Sequence, residues 1–169
     1  SGTWTQLGQD INGEAAADYS GHSVSLNKNG NMVAIGAPYH DNKTGQVRVF
    51  SFPTTSVKLT STTATVTEGT NATHNIEIAI TNPSSNASTS VDLVLTSGDT
   101  ADVGGYTTQT VIFPAGSSAS KTVAVTITDD NIVESNEEVV FTLQNATGGN
   151  RAILSSPTSK TITIISDDV

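Results

Sequence analysis

Carboxylates crowd one stretch of this chain, Thr128-Asp129-Asp130-Asn131-Ile132-Val133-Glu134-Ser135-Asn136-Glu137-Glu138. Oxygen ligands at this density suit a hard divalent cation, since Ca²⁺ takes roughly 6–8 of them at about 2.3–2.6 Å. A single extended strand cannot supply such a set, because alternate side chains leave opposite faces. An irregular loop can, with Asp129 and Asp130 entering from one side, Glu134 and Glu137 from the other, and Ile132 lending its backbone carbonyl. A second pair, Asp167-Asp168, follows an apolar alternating run, and Glu68 lies between Val66-Thr67 and Gly69. Without a cation these groups repel one another, so a bound ion would stabilise any fold that gathers them. The plainer reading is a solvated acidic turn, for which Asp-Asp-Asn is equally good chemistry. Spacing alone leaves both readings open.

The elements that must position these groups are strands. Thr, Val and Ile prevail over helix formers, and branching at Cβ favours pleated surfaces. Period-two alternation predicts seven strands at residues 57–66, 75–81, 90–95, 109–113, 121–128, 138–144 and 159–165. Turn residues at Asn82-Pro83-Ser84, Pro114-Ala115-Gly116 and Thr147-Gly148-Gly149-Asn150 separate several of them. The expectation is an all-β sandwich over residues 56–169. The acidic stretch is then a loop joining two strands. If strand 159–165 runs roughly parallel to strand 121–128, both acidic ends share one pole, and Glu68 reaches it from the end of the first strand.

Residues 1–55 follow a different pattern. Short strands are predicted at 23–26, 32–36 and 46–50, with a hairpin turn at Asn27-Lys28-Asn29-Gly30-Asn31 and polar turns at 18–21 and 40–45. A short helical turn is expected near residues 14–17. Pro53-Thr54-Thr55-Ser56 is the expected linker.

Composition narrows the function. Sixteen acidic residues against seven basic ones give a net charge of −9. That balance repels nucleic-acid phosphates and anionic membrane surfaces. Without Cys there is no disulfide and no thiolate metal site. No apolar run approaches ~18 residues, so membrane insertion is not expected. No signal peptide is visible and Ser1-Gly2 looks like a tag remnant, so the chain reads as a piece of a longer protein.

Residues 56–169 resemble a Calx-β domain. The resemblance rests on Val66-Thr67-Glu68-Gly69, Gly104-Gly105-Tyr106-Thr107, Phe113-Pro114-Ala115-Gly116, the long run from Ile127 through Leu143, and Ile164-Ile165-Ser166-Asp167-Asp168. It implies a seven-stranded, immunoglobulin-like β-sandwich. It also implies Ca²⁺ ligands from Glu68, Asp129, Asp130, the Ile132 carbonyl, Glu134, Glu137, Asp167 and Asp168. One position departs from the family pattern, which often has Asp immediately before the Tyr. Gly105 stands there, and Asp102 is nearby at the wrong spacing. The departure implies fewer and weaker ions.

The N-terminal segment, from Trp4 to Phe52, resembles one integrin-α-like (FG-GAP) propeller repeat through 20–26, 33–38 and 45–50. One blade cannot bury both of its faces. It is therefore expected to be either the last blade of a longer propeller, the preferred reading for the parent protein, or a blade-like subdomain packed on the sandwich. In isolation, Trp4, Leu7, Val24, Ile35 and Val49 would either pack on the sandwich or drive self-association.

Catalysis is not expected. His22, His40 and His74 have no metal or catalytic spacing and are assigned to surface or turn positions, and Gly21-His22-Ser23 is not a nucleophile elbow. Paired carboxylates can hydrolyse glycosides, but that needs a cleft with stacking aromatics, and aromatics are only 5% of the chain. Asp10–Glu14, Asp41 and Asn42 fit turns better than Ca²⁺ loops. Asn-x-Ser/Thr triplets at Asn42, Asn71, Asn86 and Asn145 matter only in a glycosylating source. The expected function is a non-catalytic Ca²⁺-binding structural or adhesion module, extracellular or on the cell surface, from an exported bacterial protein. Its partners would be neighbouring repeats, other cell-surface proteins or glycans. The alternatives are a regulatory Ca²⁺ sensor and a glycan-binding accessory module of a secreted enzyme.

Overall fold

Alternating apolar side chains can be buried on one face only, so runs of this kind fold as strands that share a core. The computed structural model describes residues 10–69 and 72–169. The chain divides between Thr54 and Thr55 into two compact units.

In the first unit β1 (Ser23–Leu26), β2 (Met32–Ala37) and β3 (Gln46–Ser51) form an antiparallel meander in that order. Asn27 shapes the first turn, its Oδ1 accepting from the Asn31 and Met32 amides at 3.0 Å each. The second turn is α1 (His40–Lys43), where Asp41, Asn42 and Lys43 all have positive φ. The helical turn expected at residues 14–17 does not form, and Ala17 has a φ of 69°, outside the right-handed helical region. Glu14 instead approaches Arg48 (3.4 Å) and His40 (3.8 Å), while His40 Nδ1 donates to the buried Asp18 carboxylate at 2.9 Å. His40 thus belongs to a structural network rather than to a bare turn. Val33 and Ile35 are buried, whereas Val24 and Val49 are exposed. Trp4 and Leu7 lie outside the described residues.

The second unit is the β-sandwich. One sheet has the order β5 (Thr63–Thr67), β12 (Ser159–Ile165), β10 (Glu137–Gly148), β7 (Thr89–Ser97) and β8 (Gln109–Phe113). The other is β11 (Ile153–Leu154), β4 (Ser56–Leu59), β6 (Thr73–Thr81) and β9 (Lys121–Thr126). Val57, Leu59, Ile76, Ile78, Val91, Leu93, Phe113, Val125, Phe141, Leu143, Ile162 and Ile164 form the core between them. Tyr106 closes one side: its hydroxyl donates to the Leu93 carbonyl at 2.9 Å, and its ring meets Phe141 edge-on at 4.9 Å.

Two differences from the expected seven strands have clear causes. The run 57–66 is two strands, because its apolar phase changes from odd positions (Val57, Leu59) to even ones (Ala64, Val66). A one-residue change of phase turns the buried row to the other face. The chain therefore leaves β4 in one sheet and enters β5 in the other. The second difference is β11, a two-residue strand parallel to β4. The strand expected at 138–144 also runs on to Gly148, with register irregularities at Val140/Phe141 and Gln144/Thr147.

His74 is not at the surface. It occupies the inner row of β6 with Ile76, Ile78 and Ile80, and its Nε2 is buried without a hydrogen-bond partner. Burial, then the charge of Lys160, hold its pKa below 6.5. Lys160 is itself buried, donates to Ser61 Oγ and is pushed down by desolvation.

Two outcomes follow. Phe141→Ala removes a fully buried ring and should cost about 3–5 kcal/mol in urea unfolding. Neutral His74 is the native form, while the unfolded chain takes up a proton below about pH 6.5. Stability is therefore intact above that pH and erodes as pH falls. The melting temperature of His74→Leu, relative to wild type, should rise as pH is lowered from about 7.5 to about 5.

Candidate metal centre

The parallel pairing of β5 with β12 brings two carboxylate segments together. Thr67 pairs with Ile165, and the Glu68 amide extends the ladder by donating to the Ile165 carbonyl at 2.9 Å. Glu68 thus leaves its strand beside Ser166-Asp167-Asp168. Oxygen atoms of Glu68, Asp167 and Asp168 lie within 4.8 Å of one another.

A third segment arrives from the opposite sheet. After β9, the buried Ile127 anchors the chain and its amide donates to the Ala72 carbonyl at 2.9 Å. Residues 129–136 then form an irregular loop. Asp130 Oδ1 accepts from the Ile132 amide at 2.8 Å, turning the loop, and the Ile132 carbonyl accepts from Ser166 Oγ at 3.5 Å. Glu137 opens β10 opposite Ile164 of β12.

The electrostatics trace this convergence. Desolvation raises the Glu68 pKa first, followed by the charges of Glu134, Asp130, Asp167 and Asp168. Asp168 is raised by desolvation and then by Asp167, Asp130 and Asp129. Glu137 is raised by desolvation, then by the charge of Asp102 and a hydrogen bond with it, then by Glu134 and Glu68. The charges of Asp129, Asp130 and Glu134 therefore act on Glu68, Glu137 or Asp168, while the Ile132 carbonyl is held beside Ser166. Glu68 Oε2, Glu137 Oε2 and Asp168 Oδ2 are buried and accept no hydrogen bond. Acceptors in that condition suit a cation, which supplies charge where no donor is available.

Asp102, set aside on spacing, is the neighbouring charge that acts most strongly on Glu137. The Gly104-Gly105 pair before Tyr106 was the available signal, since adjacent glycines mark a turn that re-aims its neighbours.

Comparison with known proteins bears on the sandwich as a whole. The family model of the Calx-beta domain matches residues 53–168. Adhesion G-protein coupled receptor V1 of Danio rerio is 38% identical over 77 residues, which is 45% of this chain and 1% of that protein. Among solved structures, the apo form of the Calx CBD1 domain matches with a TM-score of 0.59 at 18% identity, covering 69% of this chain and 100% of that one. The calcium binding domain CBD12 of CALX1.1 matches with a TM-score of 0.54 at 20% identity, covering 66% of this chain and 44% of that one. At such identities the likeness speaks to fold: an immunoglobulin-like β-sandwich.

A carboxyl whose folded pKa is raised favours its protonated form in the native state. The native state is then at its relative best below the unfolded pKa, 4.5 for Glu68 and 3.8 for Asp168, and loses stability as pH rises through the folded value. In chelator at pH ~7, Glu68→Gln and Asp168→Asn should each melt higher than wild type. The difference should vanish towards pH ~4.

Proposed function

Since the chain belongs to the Calx-beta domain family through residues 53–168, we propose that it is a non-catalytic Ca²⁺-binding structural module of an extracellular or cell-surface protein. The observation that carries this reading is the set of three buried, unpartnered carboxylate oxygens on Glu68, Glu137 and Asp168, which come from three separate segments. Glu68, Asp129, Asp130, Glu134, Glu137, Asp167, Asp168 and the Ile132 carbonyl would hold the ion. Bound there, Ca²⁺ supplies the positive charge that offsets their repulsion. The residues themselves tie the ends of β5, β9 and β12 to the start of β10. The likeness to the calcium binding domain CBD12 of CALX1.1 and to Adhesion G-protein coupled receptor V1 of Danio rerio supports this reading. The blade-like reading of the first unit draws support from its three-stranded antiparallel meander.

Calorimetric titration with Ca²⁺ and thermal melting in millimolar Ca²⁺ against chelator test the proposal. Extracellular modules bind at ~10⁻⁴–10⁻³ M, and sensors at ~10⁻⁷–10⁻⁵ M, which would favour the regulatory role instead. Saturation at a hundredfold excess over Kd should stabilise the fold by about 2.7 kcal/mol. Glu68→Ala should abolish the gain. Equal melting temperatures in Ca²⁺ and chelator would sink the reading.

A further inference from the structure

Two Asn-Gly dipeptides occur in the first unit, Asn12-Gly13 and Asn29-Gly30. An Asn side chain can be attacked by the amide nitrogen of the residue that follows it. Glycine permits the approach, because it has no Cβ and its backbone turns freely. The nitrogen bonds to the Asn Cγ, ammonia leaves, and a cyclic imide, a succinimide, remains. Water then opens the imide. Breaking the bond from nitrogen to Cγ gives aspartate, and breaking the bond to the main-chain carbonyl carbon gives isoaspartate. The attack needs an amide that no acceptor holds and a side chain with room to rotate.

On those grounds the two dipeptides differ. Asn29-Gly30 lies inside the turn between β1 and β2, which is closed by several bonds. The Gly30 amide donates to the Asn27 carbonyl at 2.9 Å, and the Asn27 amide to the Met32 carbonyl at 3.1 Å. Asn27 Oδ1 accepts from the Asn31 and Met32 amides, and Asn27 Nδ2 donates to Asn31 Oδ1 at 2.8 Å. Asn29 makes a further contact of its own. Asn12 and Gly13, by contrast, are both exposed and lie outside any strand or turn. Among the described residues the Gly13 amide has no backbone acceptor, and Asn12 is held through its carbonyl, which accepts from Arg48 Nη1 at 2.9 Å.

From this contrast we infer that Asn12 is a site of spontaneous modification, converting through a succinimide with Gly13 to isoaspartate and aspartate, while the turn protects Asn29. The product bears on the network around it. In isoaspartate the main chain runs through the former side chain, and the carbonyl that Arg48 holds becomes a free carboxylate. A neutral hydrogen bond is thereby exchanged for a charge-assisted one. Arg48 then stands between two acids, since its Nε lies 3.4 Å from Glu14 Oε1.

Ageing the folded chain in mildly alkaline buffer, with peptide mapping by mass spectrometry at intervals, forms the test. Isoaspartate is identified in each peptide by enzymatic methylation of its free carboxyl. Asn12 is expected to convert about fivefold or more faster than Asn29, the factor for one net hydrogen bond released before attack. In urea, where no turn survives, the two rates should draw together. Asn27→Ala, which removes the side-chain bonds of the turn, should speed Asn29 and leave Asn12 as it was. Equal rates in the folded chain, or faster conversion at Asn29, would overturn the inference. A rate ratio that persists in urea would also overturn it, by assigning the difference to neighbouring residues instead of to the fold.

Discussion

Repulsion among carboxylates at one pole of the sandwich is opposed by a framework that takes no part in the charge. The Glu68 amide bonds to Ile165, the Ile127 amide to Ala72 and the Thr128 amide to Asp102. Each bond completes a backbone ladder or turn that would be unsatisfied without it. Core residues on either side, Ile127 and Ile164 among them, are almost fully buried and hold the strand ends in place. The fold therefore brings the acids together through main-chain hydrogen bonds and apolar burial, and desolvation with neighbouring charge raises the pKa values of Glu68, Glu137 and Asp168. A divalent cation bound there would relieve the repulsion at neutral pH, since oxygen atoms of Glu68, Asp167 and Asp168 converge within 4.8 Å.

The sandwich was largely legible because its buried rows alternate. Gln109–Phe113 and Ser159–Ile165 appear with the bounds that alternation assigns. The break between Leu59 and Thr63 was also written in the sequence, as a change of apolar phase, but a continuous row of Thr and Ser masks it when β-propensity alone is followed. β11 gave no comparable signal: two residues have no period, and the pairing with Ser56 and Val57 is set by tertiary contact. His74 shows the opposite limit. Its position in the inner row follows from the alternation of Ile76, Ile78 and Ile80, yet residue type argued for the surface.

At the acidic pole, residue type and strand ends were enough to nominate Glu68, Asp129, Asp130, Glu134, Glu137, Asp167 and Asp168 as neighbours. Asp102 was out of reach of that reasoning. Its placement depends on Thr128 satisfying three groups of a distant loop at once, a long-range arrangement without periodicity. In the first unit, the Glu14, Asp18, His40 and Arg48 network was hidden for the same reason, since its members meet only after a left-handed turn at residues 41–43.

The parallel pairing of β5 and β12 has a mechanical consequence. Five paired positions, from Thr63 with Thr161 to Thr67 with Ile165, join the first part of the sandwich to its last strand. Tension applied between residues 55 and 169 pulls these neighbours in opposite directions along their length. The ladder is then loaded in shear, and its rungs resist together instead of unzipping one after another. Glu68, Asp167 and Asp168 stand at the upper end of that ladder, where a bridging ion would act as a bolt through both strands.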